Sequence, residues 1–209
     1  MSQQQPAIDV VIFDFGGVLI EWDRRHLFRK LFDDTEQMEW FLTEVCSEEW
    51  NRELDRGLPY EKAIAERQEK FPDFADHIYA YWSRWEEMTP GPIEGTADIV
   101  EELRTTGMRL GGLTNFSADT FPRAQAKFPI LTTFEDVVVS GIEKIIKPQP
   151  EIYELASLRF GTPPERCLFI DDRDDNVEGA RRVGMDAVRF IDAAELRGEL
   201  EERGLLESR

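Results

Sequence analysis

A chain of 209 residues has the length of one large or two small folding units, and with 41% hydrophobic residues it can bury an ample core. Its formal charge of −18 excludes nucleic acid and anionic membrane as natural partners, because both would repel such a surface. Cys46 and Cys167 are far apart and match no metal-ligand spacing, so they read as buried small apolar residues of a protein in a reducing, cytoplasmic compartment.

The glutamine-rich leader, residues 1–6, has no basic segment, and the apolar run after it is broken by Asp14; neither a signal peptide nor a membrane span is expected. That run predicts a strand over 8–13 that delivers Asp14 at its end and breaks on Gly16 and Gly17. A carboxylate at the tip of a buried strand needs a cation, a donor or a metal, so Asp14 is the first candidate functional residue. Residues 21–90 differ in character: Leu27, Phe28, Leu31 and Phe32, then Met38, Phe41, Leu42 and Val45, later Ile64, Ile78, Tyr81, Trp82 and Trp85, recur at helical spacing. They predict a helical subdomain inserted after the first strand, with Gly57 and Pro59 marking a break between helices. His26 and His77 are isolated and read as structural or surface residues.

Beyond the insertion, strands over 108–113, 136–139, 167–171 and 186–190 alternate with helices over 94–106, 150–160, 174–183 and 193–203. Such alternation predicts an α/β fold, a parallel sheet flanked by helices. The strand at 108–113 runs into Thr114 and Asn115, a hydroxyl and an amide that can donate to an anionic oxygen. Lys147 precedes Pro148 and Pro150, which open a helix. The strand at 167–171 ends on Asp171 and Asp172, followed by Asp174 and Asp175, the first of which reads as a charge complementing a helix N-terminus. Strands of a parallel sheet that both end in acids place them on one edge, where open α/β sheets bind ligands. Oxygen ligands without a His or Cys cluster favour a hard cation, and few carboxylates favour Mg²⁺.

Strand Asp14, strand Thr114-Asn115, Lys147-Pro148 and strand Asp171-Asp172, in that order, resemble the haloacid dehalogenase (HAD) superfamily of aspartate-nucleophile hydrolases. Gly91 to Thr96 with Leu103 and Gly107, and Asn176 to Met185, extend the likeness over nearly the whole chain. The resemblance implies a Rossmann-like core of residues 7–20 and 91–209 and a helical cap of residues 21–90 that selects the substrate. It implies Asp14 as the nucleophile that becomes an aspartyl-phosphate, and Mg²⁺ held by Asp14, the Gly16 carbonyl, Asp172 and, as second ligand or outer partner, Asp171. Thr114 and Asn115 would bind phosphoryl oxygens, Lys147 would offset the charge, and Asn176 or Asp175 would orient Lys147 or a metal-bound water. Trp22, Arg24, Trp50, Asn51, Arg52 and the turn at 53–57 are the cap candidates for contact with a small phosphorylated substrate. The chain's oligomeric state is left open, since the aromatic residues of the cap suit a core or an interface.

One position departs from the pattern. Phosphatases of the family carry Asp-x-Asp, whose second Asp protonates the leaving oxygen and then activates water; here that place is Gly16. A carbonyl ligand survives the change, but an acid and base whose help is typically worth about 10² to 10⁴ in rate does not. Leaving groups of low pKa suffer least, and a branch resembling this chain, with Asp-x-Gly and Asp-Asp-x-x-x-Asn, acts on glucose 1-phosphate. The main alternative is a 2-haloacid dehalogenase, which also lacks the second Asp and uses no metal. Against it stand Asp171 and Asp172, which would repel a haloacid carboxylate, and Val18, where dehalogenases carry Thr. A non-catalytic domain that binds a phosphorylated ligand is the third reading.

Overall fold

The computed structural model describes residues 7–208, so the expectation for the leader at 1–6 falls outside the described residues. Among the described residues no helix is long and apolar enough to cross a membrane. Strands β1 (Val10–Phe13), β2 (Arg109–Thr114), β3 (Asp136–Val139), β4 (Cys167–Asp171) and β5 (Asp186–Arg189) form one parallel sheet in the order β3-β2-β1-β4-β5. Between β1 and β2 come α1 (Arg25–Phe28), α2 (Thr35–Trp40), α3 (Glu48–Asp55), α4 (Tyr60–Lys70), α5 (Ala75–Ser83) and α6 (Thr96–Thr105). After β2 come α7 (Phe121–Lys127), α8 (Ser140–Glu143), α9 (Pro150–Phe160), α10 (Asp174–Arg182) and α11 (Ala193–Glu202).

A parallel sheet must be covered on both faces, and β1 shows why this sequence complies. Val11 and Phe13 enter one apolar cluster, Val10 and Ile12 the other, and none of the four is exposed. The second cluster is closed by α9 and α10 through Ile152, Tyr153, Ala156, Val177 and Ala180. The first is closed by α6 and α11 through Ile99, Leu103, Leu196 and Leu200, and continues without a break into Phe28, Phe41 and Tyr81 of the inserted helices. β2 tolerates two glycines because rings occupy the space of their side chains: a Cβ on Gly111 would lie 2.2 Å from Phe160, and one on Gly112 2.6 Å from Phe15.

The insertion leaves and returns at one point. Glu21 N–H donates to the Gly91 carbonyl at 2.9 Å, and Ile93 N–H to that of Leu19 at 3.0 Å. Within it, Asp34 caps α2, which runs into a π turn over Phe41–Val45, and Ser47 then caps α3 by accepting from Trp50 N–H at 3.2 Å. The sequence does not announce α7, because Pro122 reads as a breaker although it stands in the first turn, where proline is at home. Nor does it announce α8, which is a single turn.

Candidate active site

The order β3-β2-β1-β4-β5 makes β1 the strand from which the chain steps first to one side and then to the other. At such a switch point the loops after the strands part and leave a crevice. Register puts Phe13 beside Gly112 and Ile170, so the residues that follow, Asp14, Leu113 and Asp171, share a level at the edge. Asp14 N–H still donates to the Ile170 carbonyl at 2.8 Å, which fixes the backbone from which its side chain leaves.

Lys147 is fully buried, and all three of its ammonium protons have acceptors. They reach Asp14 Oδ2 at 2.9 Å, Asp171 Oδ2 at 2.7 Å and the Leu113 carbonyl at 3.0 Å. The second oxygen of Asp14 accepts from Phe15 N–H at 2.7 Å. Asp171 is also held from behind: Arg173 N–H donates to Oδ1 at 2.9 Å, and Asn176 Nδ2 spans both oxygens at 3.0 and 3.1 Å. Asp14, Asp171 and Asp172 each offer a carboxylate oxygen within 4.8 Å of the others.

Burial pushes the Asp14 carboxyl up, to about 8; Lys147 opposes the rise, and Asp171 and Asp172 add to it. Asp172 is raised as well, by burial and then by Asp171. Burial works to lower the Lys147 ammonium, but Asp14 and Asp171 outweigh it and the net direction is up. Lys147 therefore keeps its charge, and one ammonium stands among three carboxyl groups, two of which, Asp14 and Asp172, the fold pushes toward the protonated form. A hard divalent cation fits this set, in donor type and in the sign of the charge it would bring.

A cleft of about 320 Å³ opens over these groups. Of the residues singled out in the sequence, Asp14, Gly16, Trp22, Asn51, Arg52, Asn115, Lys147, Asp172 and Asn176 line it; Thr114, Asp171 and Trp50 do not. Thr114 is buried at the end of β2, and Trp50 packs edge-on against Tyr81 at 5.0 Å, in the core of the insertion. The Asn115 amide is already engaged: its Oδ1 accepts from Lys147 N–H at 2.8 Å and its Nδ2 donates to the Lys147 carbonyl at 3.1 Å. Its side chain thus holds the Lys147 backbone rather than presenting a free donor for a phosphoryl oxygen. Asn176 grips Asp171, and Asp175 pairs with Arg173 at 3.1 Å, so Lys147 is oriented by Asn176 only through Asp171. Arg24 reaches the cleft, yet its guanidinium donates to the Leu42 and Cys46 carbonyls. His77 is packed 4.4 Å from the Phe32 ring and His26 lies near the surface, as expected of structural residues.

Trp85, Phe116 and Tyr60 also line the cleft, and no motif marks them. Trp85 stacks on Trp22 at 5.9 Å and meets Phe116 at 5.5 Å, which builds an aromatic wall from three distant segments. Across the cleft Arg173 pairs with Glu48 of α3 at 3.1 Å. Asp55, named in the sequence only as part of a turn, closes α3 and faces the same cleft.

A family model for haloacid dehalogenase-like hydrolases matches residues 8–184. Among curated proteins, the chain is 29% identical over 192 residues to "Phosphatase MT3486" of Mycobacterium tuberculosis, covering 87% of this chain and 86% of that one. Among solved structures, a HAD-like family hydrolase of Porphyromonas gingivalis superposes with a TM-score of 0.72 at 22% identity, covering 97% and 100% of the two chains. The magnesium complex of a HAD family enzyme of Bacteroides thetaiotaomicron superposes with a TM-score of 0.71 at 20% identity, covering 93% and 98%.

Proposed function

The chain belongs to the haloacid dehalogenase-like hydrolases, and from that premise we propose that it is a Mg²⁺-dependent phosphatase of a small phosphorylated metabolite, with Asp14 as nucleophile. The observation that carries this reading is the cluster of Asp14, Asp171 and Asp172 around the buried Lys147, at the floor of a cleft that suits a metabolite. One oxygen of Asp14 attacks phosphorus, an aspartyl-phosphate forms, and water hydrolyses it. Lys147 offsets the repulsion between an anionic nucleophile and an anionic ester and keeps Asp14 aimed. Asp14, the Gly16 carbonyl and Asp172 would hold Mg²⁺; Asp171, which lies behind the cleft lining and is gripped by Lys147, Arg173 N–H and Asn176, would stand behind them as outer partner. Bound there, the metal supplies charge stabilisation to the transferring phosphoryl oxygens.

Helices α1–α5 are read as the cap, with Trp22, Asn51 and Arg52 nearest the substrate. The resemblance to a phosphatase over most of both chains supports the reaction class. Sugar 1-phosphates are the substrate class we favour, because an anomeric leaving group asks least of the acid missing at Gly16. The dehalogenase reading is disfavoured by the same cluster, since Asp171 and Asp172 would repel the carboxylate of a haloacid.

The deciding assay measures phosphate release from sugar, nucleotide and acyl phosphates, and chloride release from 2-chloropropionate, each with Mg²⁺ or EDTA. Mg²⁺-dependent phosphate release that falls at least about 10³-fold in Asp14→Asn is the expected outcome. Metal-independent chloride release would replace it with the dehalogenase, and binding of phosphate esters without turnover would leave a binding domain.

A further inference from the structure

We propose that Asp55, carried over the cleft by the last residue of α3, is the general acid and base of the phosphoryl transfer, the task for which position 16 has no carboxyl. The inference rests on the phosphatase reading above and names the group that completes it.

Position argues first. In an in-line displacement the leaving oxygen departs on the side of phosphorus away from Asp14. The cleft lies between the sheet edge, which carries Asp14, and α3, which contributes Glu48, Asn51, Arg52 and Asp55. An acid on α3 enters the cleft from the inserted helices and not from the sheet edge that carries Asp14, as an acid for the departing alkoxide must.

Elimination argues second. Of the carboxylates lining the cleft, Asp23, Glu48 and Asp175 are each paired with an arginine, Asp14 is held by Lys147, and Asp172 belongs to the cation cluster. Among the described residues Asp55 has no ion pair. Its side-chain partner is Asn51, one turn earlier, whose Nδ2 donates to Oδ2 at 2.8 Å. Tyr81 hydroxyl donates to Asn51 Oδ1 at 2.6 Å, which turns the amide so that its N–H₂ faces the carboxyl. Among the described residues Oδ1 of Asp55 has no hydrogen bond, which leaves it free to carry a proton.

Support from below argues third. The segment behind Asp55 is fastened to the sheet side at three places. Ser140 Oγ donates to the Asp55 carbonyl, Lys144 Nζ to that of Gly57 at 3.0 Å, and Tyr60 N–H donates to Asp119 Oδ2 at 2.8 Å. The same Ser140 oxygen accepts from Phe116 N–H at 2.9 Å, so one hydroxyl joins Asp55 to the loop after β2. A catalytic group needs such a held geometry.

The environment favours the acid form. Asp55 closes a helix, where the negative end of the dipole opposes a carboxylate. Burial is the largest cause of its rise to about 8, Asp14 adds to it, and Lys147, Arg52 and the Asn51 bond oppose it. Tyr60 of α4 and Tyr81 of α5, whose hydroxyls burial raises, are near enough to feel its charge and stand there as neutral groups. In the first step Asp14 oxygen bonds to phosphorus, the ester P–O bond breaks, and the Asp55 proton passes to the leaving oxygen. In the second, Asp55 carboxylate takes a proton from water as its oxygen bonds to phosphorus. The bond from phosphorus to Asp14 breaks, inorganic phosphate leaves, and both carboxyls return to their starting states.

The test is Asp55→Asn, assayed with Mg²⁺ in single-turnover and steady-state experiments on esters of graded leaving-group pKa. Leaving-group release in the first turnover should fall about 10² to 10⁴-fold for alkyl phosphates and less than about 10-fold for acyl or dinitrophenyl phosphate. Activated esters should give a burst of one product per enzyme followed by slow turnover. The alkaline limb of the wild-type pH profile should disappear. Inhibition by inorganic phosphate with Mg²⁺ should be unchanged, which controls for folding. Gly16→Asp in the Asp55→Asn background should restore part of the alkyl-phosphate rate; a Cβ at position 16 meets only Trp22 Cβ, at 3.8 Å. A uniform loss across leaving groups, or none, with the wild type active, would overturn the assignment of Asp55 alone. A wild type that releases no phosphate with Mg²⁺ would remove the phosphatase reading and this inference together.

Discussion

Lys147 is where single side chains weigh most. Its ammonium, with no exposed surface, sits between Asp14 and Asp171, so Lys147→Ala leaves two buried carboxylates facing each other. Breaking a buried pair in this way costs about 3–5 kcal/mol, and urea unfolding should show it beside a severe loss of activity; unchanged stability would mean that the carboxyls had been neutral all along. Gly17 makes a sharper claim about metal. Its φ is +77°, and a Cβ there would lie 2.6 Å from the Asp172 carboxylate. Gly17→Ala must therefore shift the one carboxylate of the cluster that neither Lys147 nor Asn176 holds. Titration calorimetry should find Mg²⁺ affinity weakened on the order of 10 to 100-fold, whereas wild-type affinity would remove Asp172 from the ligand set. The motif residues were legible as candidates because each ends an apolar run and because together they follow the order of a known family; any one of them alone reads as a cap or turn residue. Asn176 grips Asp171 only five residues earlier in the same motif, whereas what the hydrogen bonds of Asn115 are spent on was not legible, since its partner Lys147 comes from another segment. The same holds for Asp55: a turn residue by local rules, it gains its surroundings from α5, α8 and the sheet edge.

The strut from Asp55 to Tyr60 decides how the inserted helices meet the sheet. Gly57 has φ +96°, and a Cβ would lie 2.2 Å from Lys144 Nζ and 2.5 Å from the Gly141 carbonyl. Gly57→Ala carries about 1–2 kcal/mol of left-handed strain and also displaces the lysine that pins the turn. Thermal denaturation should record that loss. Turnover should fall further than phosphate affinity, because the cation cluster lies on the other side of the cleft; equal losses would show that the strut supports the fold and not the placement of α3. Of the elements themselves, β3, β4 and α9 match the sequence expectation at both ends, the strands because their apolar runs are unbroken and α9 because Pro150 marks its start. The helix α7 escapes it because Pro122 signals a stop when read locally and a start when read in place. The aromatic wall of Trp22, Trp85 and Phe116 escapes for a different reason: its members lie on segments that only the return of the chain at Gly91 brings together.

Charge links the site to the stability of the molecule as pH changes. Asp14, Asp55 and Asp172 all have carboxyls raised in the fold, to about 8 for the first two. A raised carboxyl binds protons in the native state that the unfolded chain has released, so its contribution is full below the ordinary carboxylate range and is lost as pH rises through about 8. The carboxylates lowered by basic side chains, such as Glu87 with Arg84 and Lys30 or Asp175 with Arg173, act in the opposite direction, but they are partly exposed and screened. Without added metal, the contribution of these groups should therefore fall as pH rises from the ordinary carboxylate range to about 8 and stay level above it. Mg²⁺ requires its carboxylate ligands deprotonated, so the stabilisation it gives must grow over the same interval. At a hundred times its dissociation constant a native-state ligand adds about 2.7 kcal/mol, roughly 5–10 °C for a domain of this size. Melting curves with Mg²⁺, against NaCl at equal ionic strength to remove general screening of the −18 charge, should show a larger shift at pH 9 than at pH 6. The shift should vanish in Asp172→Asn. A shift of equal size at both pH values would mean that the ions bind the acidic surface and not the cluster at the sheet edge.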